Sequence, residues 1–133
     1  MNIQTLKERI VTVLNTEITT VTSYDAEKFS EIDLPNISVK VASCERMSKA
    51  LRSYSANIEI TLRAHSGDSL TVSQINAVTN DIESLLNDEF ASQINNNIAN
   101  LQVDYFAHNG GVPDWSDNAL ECKFDCEVIF QTA

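Results

Sequence analysis

The 133-residue sequence is short of glycine, cysteine and histidine, and each shortage excludes a class of protein. Its three glycines are Gly67, Gly110 and Gly111, and none of them opens a helix as a phosphate-binding loop would. Three cysteines are an odd number without a dense framework, which favours a reducing compartment over a disulfide scaffold. The two histidines, His65 and His108, each fall at the end of a predicted strand. We therefore expect no enzymatic activity.

The remaining candidates for chemistry are isolated. Cys44, His65 and Asp104 have the residue types of a nucleophilic triad, but a triad is defined by geometry and not by composition. Cys122 and Cys126 lie four residues apart, about 13 Å on a strand, which is too far for both sulfurs to bind one zinc ion. Four carboxylates in two pairs lack the ligand spacing of a calcium loop: Asp88, Glu89, Asp114 and Asp117. We expect neither a metal nor a cofactor.

Long hydrophobic runs are also missing. No apolar segment approaches the ~20 residues that span a bilayer, and residues 1–15 contain Lys7, Glu8 and Arg9 where a signal peptide would be continuously apolar. We expect a soluble cytoplasmic protein of one domain, residues 1–133, since domains commonly have roughly 100–150 residues.

Basic residues are scarce in the second part of the chain. Residues 1–53 contain seven basic and seven acidic residues, whereas residues 54–133 contain only Arg63 and Lys123 against twelve acids. The whole net charge of −10 therefore lies there. Direct nucleic-acid binding through a basic face is disfavoured, because that mode needs Lys and Arg to neutralise phosphates. The acidic surface is either a device for solubility or part of a contact with a basic loop of a neighbouring subunit.

The clearest pattern is the alternation of residues 119–130. Six apolar residues occupy the even positions from Leu120 to Phe130, and mostly charged residues occupy the odd positions. Side chains on a strand alternate between its two faces, so this strand belongs to a sheet with one buried and one polar face.

Two amphipathic helices are predicted to cover the buried face. Apolar residues recur at helical spacing in residues 2–15 and again in residues 72–89. Thr71 followed by Gln74 predicts a capping box at the start of the second helix. Residues 91–100 are rich in Asn, which favours turns, and predict a short irregular helical turn.

Alternation also predicts strands at residues 36–43, 53–65 and 101–107. Residues 44–52 would form the end of a hairpin, and residues 108–111 a sharp reversal supplied by Asn109 and Gly110. Residues 16–36 read as a long connection with a short extended piece at residues 18–21. The order α-β-β-α-β-β predicts an α+β two-layer sandwich with a mainly antiparallel four-stranded sheet and both helices on one face.

This order of elements resembles a known family. A long alternating strand at residues 55–63, a helix with an Ile/Leu stripe, and a loop containing Pro113-Asp114-Trp115 before a strand ending Val128-Ile129-Phe130 are similar to the tail terminator, or tail completion, proteins of long-tailed bacteriophages. The Asn-rich stretch departs from the family pattern. The resemblance implies a virion protein, assembled in the host cytoplasm, whose hexameric ring caps the tail tube, ends its polymerisation and joins it to the neck or head connector.

The interface residues that we predict are of two kinds. One set is the basic hairpin end with apolar neighbours: Arg46, Met47, Lys49, Leu51 and Arg52. The other is the acidic strip of the last strand, Glu121, Asp125 and Glu127 around Lys123, which has the opposite charge. Trp115 either fills the edge of the core or anchors a subunit interface. The alternatives are a neck or head-completion protein of the same particle and a small homo-oligomeric cytoplasmic binding module.

Overall fold

A computed structural model describes residues 3–27, 35–47, 53–65, 71–95, 101–116 and 119–132. In these ranges the chain forms three helices and five strands. They are α1 (Ile3–Glu17), β1 (Thr22–Asp25), β2 (Asn36–Arg46), β3 (Ser53–His65), α2 (Val72–Leu85), α3 (Asp88–Asn95), β4 (Leu101–Ser116) and β5 (Ala119–Thr132). The fold is α+β, as the sequence predicts.

The strands form one sheet in the order β1-β2-β3-β5-β4. The prediction of four strands was wrong, because β1 forms a fifth strand inside the predicted connection at residues 16–36. β1 pairs in parallel with β2, whereas the other three pairs are antiparallel. The extended piece predicted at residues 18–21 actually lies at residues 22–25.

The sheet has one face buried under the helices and one face open, which we call the outer face. All six even-numbered residues of β5 from Leu120 to Phe130 are buried, and so are the facing residues of β3 from Ala56 to Ala64. The predicted alternation of the last strand is therefore confirmed. β5 lies in the interior of the sheet, between β3 and β4, so its buried face forms much of the hydrophobic core.

The first helix buries Leu6, Ile10, Val13 and Leu14 as their spacing predicts, and extends to Glu17. Its Arg9 reaches the end of α3, where its guanidinium donates to the carbonyl oxygens of Gln93 (2.9 Å) and Ile94 (3.1 Å). A cation at a helix C-terminus satisfies carbonyls that have no partner within the helix.

The second helix begins at the predicted capping box. Thr71 Oγ1 accepts a hydrogen bond from Gln74 N–H, and the Gln74 side chain accepts one from Thr71 N–H. The prediction of one helix to residue 89 was wrong, since α2 ends at Leu85 and α3 starts at Asp88. The buried side chains of Phe90 and Ile94 belong to α3, whose regular helix includes residues 91–95 of the stretch predicted as a short irregular helical turn. The rest of that stretch, residues 96–100, lies outside the described residues.

The third predicted strand does not reverse at residues 108–111. β4 continues to Ser116 through a bulge between Asn109 and Val112. Neither Gly110 nor Gly111 adopts the left-handed backbone conformation of a tight turn. Gly111 is needed for space, because a Cβ there would lie 2.7 Å from Phe124 Cζ. Glycine in a strand commonly marks such a bulge or close approach.

The hairpin of β2 and β3 is confirmed as antiparallel, and β3 has the predicted bounds, but β2 is longer than predicted. β2 reaches Arg46 instead of residue 43, and Met47 N–H still donates to Ser53 O at 2.9 Å. Residues 44–46, predicted to lie in the hairpin end, therefore belong to β2.

Candidate assembly interface

The predicted interface residues lie toward opposite ends of the sheet. Arg46 is opposite Tyr54, which is opposite Phe130, whereas Trp115 is opposite Leu120. Ten steps along β5 at about 3.3 Å each separate these positions by about 33 Å. The structure therefore does not bring the hairpin end and Trp115 together within one subunit.

The hairpin end is described only as far as Met47. Arg46 is exposed at the end of β2, and Met47 exposes 55% of its surface. The other three predicted residues, Lys49, Leu51 and Arg52, lie outside the described residues. An exposed methionine beside a cation is a common composition for a protein contact, since Met packs against varied surfaces.

The acidic strip lies on the outer face of β5, where Glu121, Asp125 and Glu127 are all exposed. Glu121 is partly neutralised by Arg63, whose Nε is 3.6 Å away. Lys123 Nζ is bound to Glu59 Oε1 at 3.0 Å, and this hydrogen bond together with the charge of Glu59 raises the pKa of Lys123. Asp125 and Glu127 thus form the more negative part of the strip.

Asp104 of β4 extends this negative surface, although it is not among the predicted interface residues. Its carboxylate accepts hydrogen bonds from Gln102 Nε2 (3.0 Å) and Gln131 Nε2 (2.7 Å). It lies at a bulge between Val103 and Tyr105, which shifts the register of β4 against β5. The alternation of the sequence does not reveal this bulge, so it could not predict on which part of the surface Asp104 lies.

A shallow polar trough of about 350 Å³ lies on the outer face beside the strip. The short side chains of Ser38 and Thr61 form its floor, and longer residues such as Lys40, Glu59 and Arg63 surround them. Arg63 Nη1 donates to Ser38 Oγ at 2.9 Å. Because cations and carboxylates alternate around it, the trough has no strong preference for either sign of charge.

The residues considered for catalysis or metal binding are far apart or buried in the structure. Cys44 is opposite Ala56, nine residues before His65 on β3, so the two side chains of the supposed triad start about 30 Å apart. Burial raises the pKa of Cys122, and it raises the pKa of Cys126 to about 12, which keeps both as thiols. Across the described ranges no group of three or more His, Cys, Asp or Glu residues is placed to hold a metal ion.

Two exposed aromatic side chains lie on β4. Trp115 exposes 38% of its surface and is opposite the buried Leu120, so it partly covers the end of the core while remaining accessible. Tyr105 exposes 47% and is opposite Ile129 on the outer face. Tyr105 is not among the predicted interface residues, because its place in the alternation of the strand is the same as that of a core residue.

Two asparagine side chains occupy the edges of the sheet. Asn15 pairs with Ser23 of β1, receiving its N–H at 2.8 Å and donating to its carbonyl at 3.0 Å. Asn95 makes the same two bonds with Val103 of β4, at 2.6 and 3.0 Å. Each amide side chain thus takes the place of one residue of an additional strand.

Comparison with known proteins identifies the fold but no function. No protein-family model matches the sequence, and no curated protein matches it. A solved structure of a protein whose name states no function aligns over 98% of this chain and 92% of its own, with a TM-score of 0.53 and 10% sequence identity. Similarity at this level is limited to the fold.

Among the described helices, none combines the length and apolar character needed to cross a membrane.

Proposed function

We propose that this protein is a structural subunit of a phage tail or neck that forms a hexameric ring on the tail tube. The ring would end polymerisation of the tube protein and join the tube to the neck or head connector. It would be assembled in the host cytoplasm and remain in the virion, and the subunit would act without catalysis or a cofactor. The sequence resemblance described above suggests this role, although the order of elements differs from the predicted one and Pro113-Asp114-Trp115 lies in β4 instead of a loop.

The observation that supports assembly is the presence of two surfaces of opposite charge on different strands of the sheet. The basic hairpin end, represented by Arg46 and Met47, lies at one end of the sheet. The negative surface of Asp104, Asp125 and Glu127 lies on the outer face of β4 and β5. A contact between two different surfaces of identical subunits is heterologous, and such contacts close into rings when the rotation allows.

Two alternatives remain as competing proposals. A neck or head-completion protein of the same particle would use the same surfaces with a different neighbour. A small homo-oligomeric cytoplasmic binding module would instead bury the outer face of the sheet, including the polar trough, against a partner.

The direct test is the oligomeric state of the purified protein by mass photometry and negative-stain microscopy. Hexameric rings with a central hole, dissociating as salt is raised, are expected. Compact dimers at all concentrations would favour the binding module and contradict the ring.

Charge reversal tests the surfaces. The triple variant Arg46→Glu, Lys49→Glu, Arg52→Glu should remain folded but monomeric, because it opposes like charges across the contact. Asp81→Lys, which changes an exposed residue of α2 away from both surfaces, is the matched control and should assemble normally. Rings that form equally well from the triple variant would contradict the proposed contact.

A further inference from the structure

One edge of the sheet is closed by the first helix. β1 is only four residues long, and its central Ser23 has both its N–H and its carbonyl bound to Asn15. Ser23 and Asp25 are buried, at 3% and 4% exposure. An additional strand would have to displace α1, so β1 is unsuited to pairing with another chain. β1 covers only Asn36–Val39 of β2.

The other edge, β4, is closed at its beginning and interrupted further on. Asn95 occupies the N–H and carbonyl of Val103, and bulges follow at Asp104 and at Gly110 and Gly111. Between the bulges, residues 105–109 pair with β5 in unbroken register. In an edge strand, about every second residue directs its N–H and C=O away from the sheet. Residues 105–109 are therefore a regular part of the sheet edge that is open to another strand. Residues 112–116 also pair with β5 in register, but Pro113 has no N–H to donate to an added strand.

The surroundings of this open stretch select a basic partner. β4 contains no Lys or Arg. Glu127 is opposite Ala107, Asp125 is opposite Asn109, and Asp104 precedes Tyr105. Pairing two β4 edges with each other would add no positive charge to this surface. The hairpin end of a second copy supplies Arg46 with the exposed Met47, and its sequence adds Lys49 and Arg52.

We propose that residues 105–109 of β4 accept the β2–β3 hairpin end of a second copy by strand addition. Main-chain hydrogen bonds to the outward groups of β4 would fix the register of the contact. The carboxylates of Asp104, Asp125 and Glu127 would select the basic segment. This inference rests on the proposed ring, and it specifies which surfaces of the ring subunits meet and how.

Amide hydrogen exchange of the assembled protein tests the main-chain contact directly. The monomeric charge-reversal variant serves as the reference. On assembly, the outward amides among residues 105–109 should exchange at least about tenfold more slowly, because they gain hydrogen bonds. Amides on the exposed face of α2 should not change.

Proline substitution tests the same contact independently. Adjacent residues of a strand direct their N–H groups to opposite sides, so one of Ala107 and His108 faces β5 and the other faces outward. Proline is tolerated at the outward side of an edge strand, and β4 already contains Pro113. One of the variants Ala107→Pro and His108→Pro removes an outward N–H and should lose less thermal stability than the other. That variant should be the one that fails to form rings.

The outcomes separate this inference from the proposed function. Rings without added protection at residues 105–109 would overturn strand addition and leave the ring intact. Two-fold dimers protected at residues 105–109 would show that β4 pairs with β4 and would overturn the choice of the hairpin end. A protein that stays monomeric at low salt would contradict the proposed function itself.

Discussion

The most informative single perturbation is at Lys7, a lysine on the buried side of α1. Only 2% of its surface is exposed, and its Nζ lies 3.2 Å from Asp25 Oδ1 and 3.1 Å from Glu27 Oε2. Asp25 also accepts hydrogen bonds from Gln4 Nε2 (3.0 Å) and from Glu27 N–H (2.9 Å). The cluster joins the first helix to the short parallel strand.

Lys7→Met keeps most of the aliphatic volume and removes the charge, leaving the Asp25 carboxylate buried without its cation. Breaking a buried ion pair by removing one partner costs about 3–5 kcal/mol. The Glu27 side chain is 55% exposed and can turn to water, so the loss arises mainly at Asp25. For a chain of this length we expect the melting temperature to fall by about 10–20 °C.

The dependence on pH provides a second readout. Burial acts to raise the pKa of Asp25, but the hydrogen bonds from Gln4, Glu27 and Lys7 and the charge of Lys7 outweigh it and lower the pKa. A lowered carboxyl pKa stabilises the folded state above the unfolded pKa of about 3.9, and this contribution is lost as the pH falls through the folded pKa. The deficit of Lys7→Met should therefore be largest near neutral pH and shrink below about pH 4.

Urea unfolding followed by circular dichroism at neutral and acidic pH would measure both effects. Lys40→Met, at an exposed lysine, is the matched control and should change the free energy of unfolding by less than about 0.5 kcal/mol. Adding Asp25→Asn to Lys7→Met should recover part of the loss, because no charge is then left unpaired. An equal deficit at both pH values, or no deficit at all, would refute this account of the cluster.

Two further substitutions test local features of the fold. Gly111→Ala should destabilise the protein by about 1–3 kcal/mol, because its Cβ would overlap the Phe124 ring. A Cβ at Gly110 has nothing within 4 Å, so Gly110→Ala should be nearly neutral. Equal melting temperatures for the two variants would contradict the close approach of Gly111 to Phe124. Thr71→Ala removes the N-cap of α2 and should cost about 0.5–2 kcal/mol in chemical denaturation, and an unchanged midpoint would show that the bond to Gln74 N–H contributes nothing.

The strands and helices with regular apolar spacing could be predicted from the sequence, since their side chains pack as their period requires. β1 could not, because its sequence is Thr-Ser-Tyr-Asp and its inward positions are Ser23 and Asp25. Lys7 of α1 neutralises the buried Asp25, and Asn15 of the same helix binds the backbone of Ser23. Contacts of this kind between residues far apart in the chain leave no periodic pattern in the sequence.

The error at Gly110 and Gly111 has a different cause. An Asn-Gly pair favours a tight turn locally, but β5 has fourteen residues whose backbone groups can pair with a neighbouring strand. Ending β4 at residue 107 would leave the first half of β5 unpaired along one side, and buried backbone groups rarely lack hydrogen bonds. The length of the alternation at residues 119–130 was a signal that could have indicated a longer partner strand. A strand continuing through the glycines at a bulge satisfies that requirement.

The contacts of Asn15 and Asn95 with the sheet edges could not be predicted from the sequence, and they also limit where another copy can pair. Asn15 and Asn95 each lie near a helix C-terminus, and each binds the backbone of the residue eight positions later, Ser23 or Val103. Asparagine is unfavourable within helices, so the sequence suggests the end of a helix at Asn15 and only a short helical turn at Asn95. In the fold the same side chains block strand addition at specific points of both sheet edges. A chain that closes its edges at these points leaves residues 105–109 as a regular stretch of β4 at which another copy can pair.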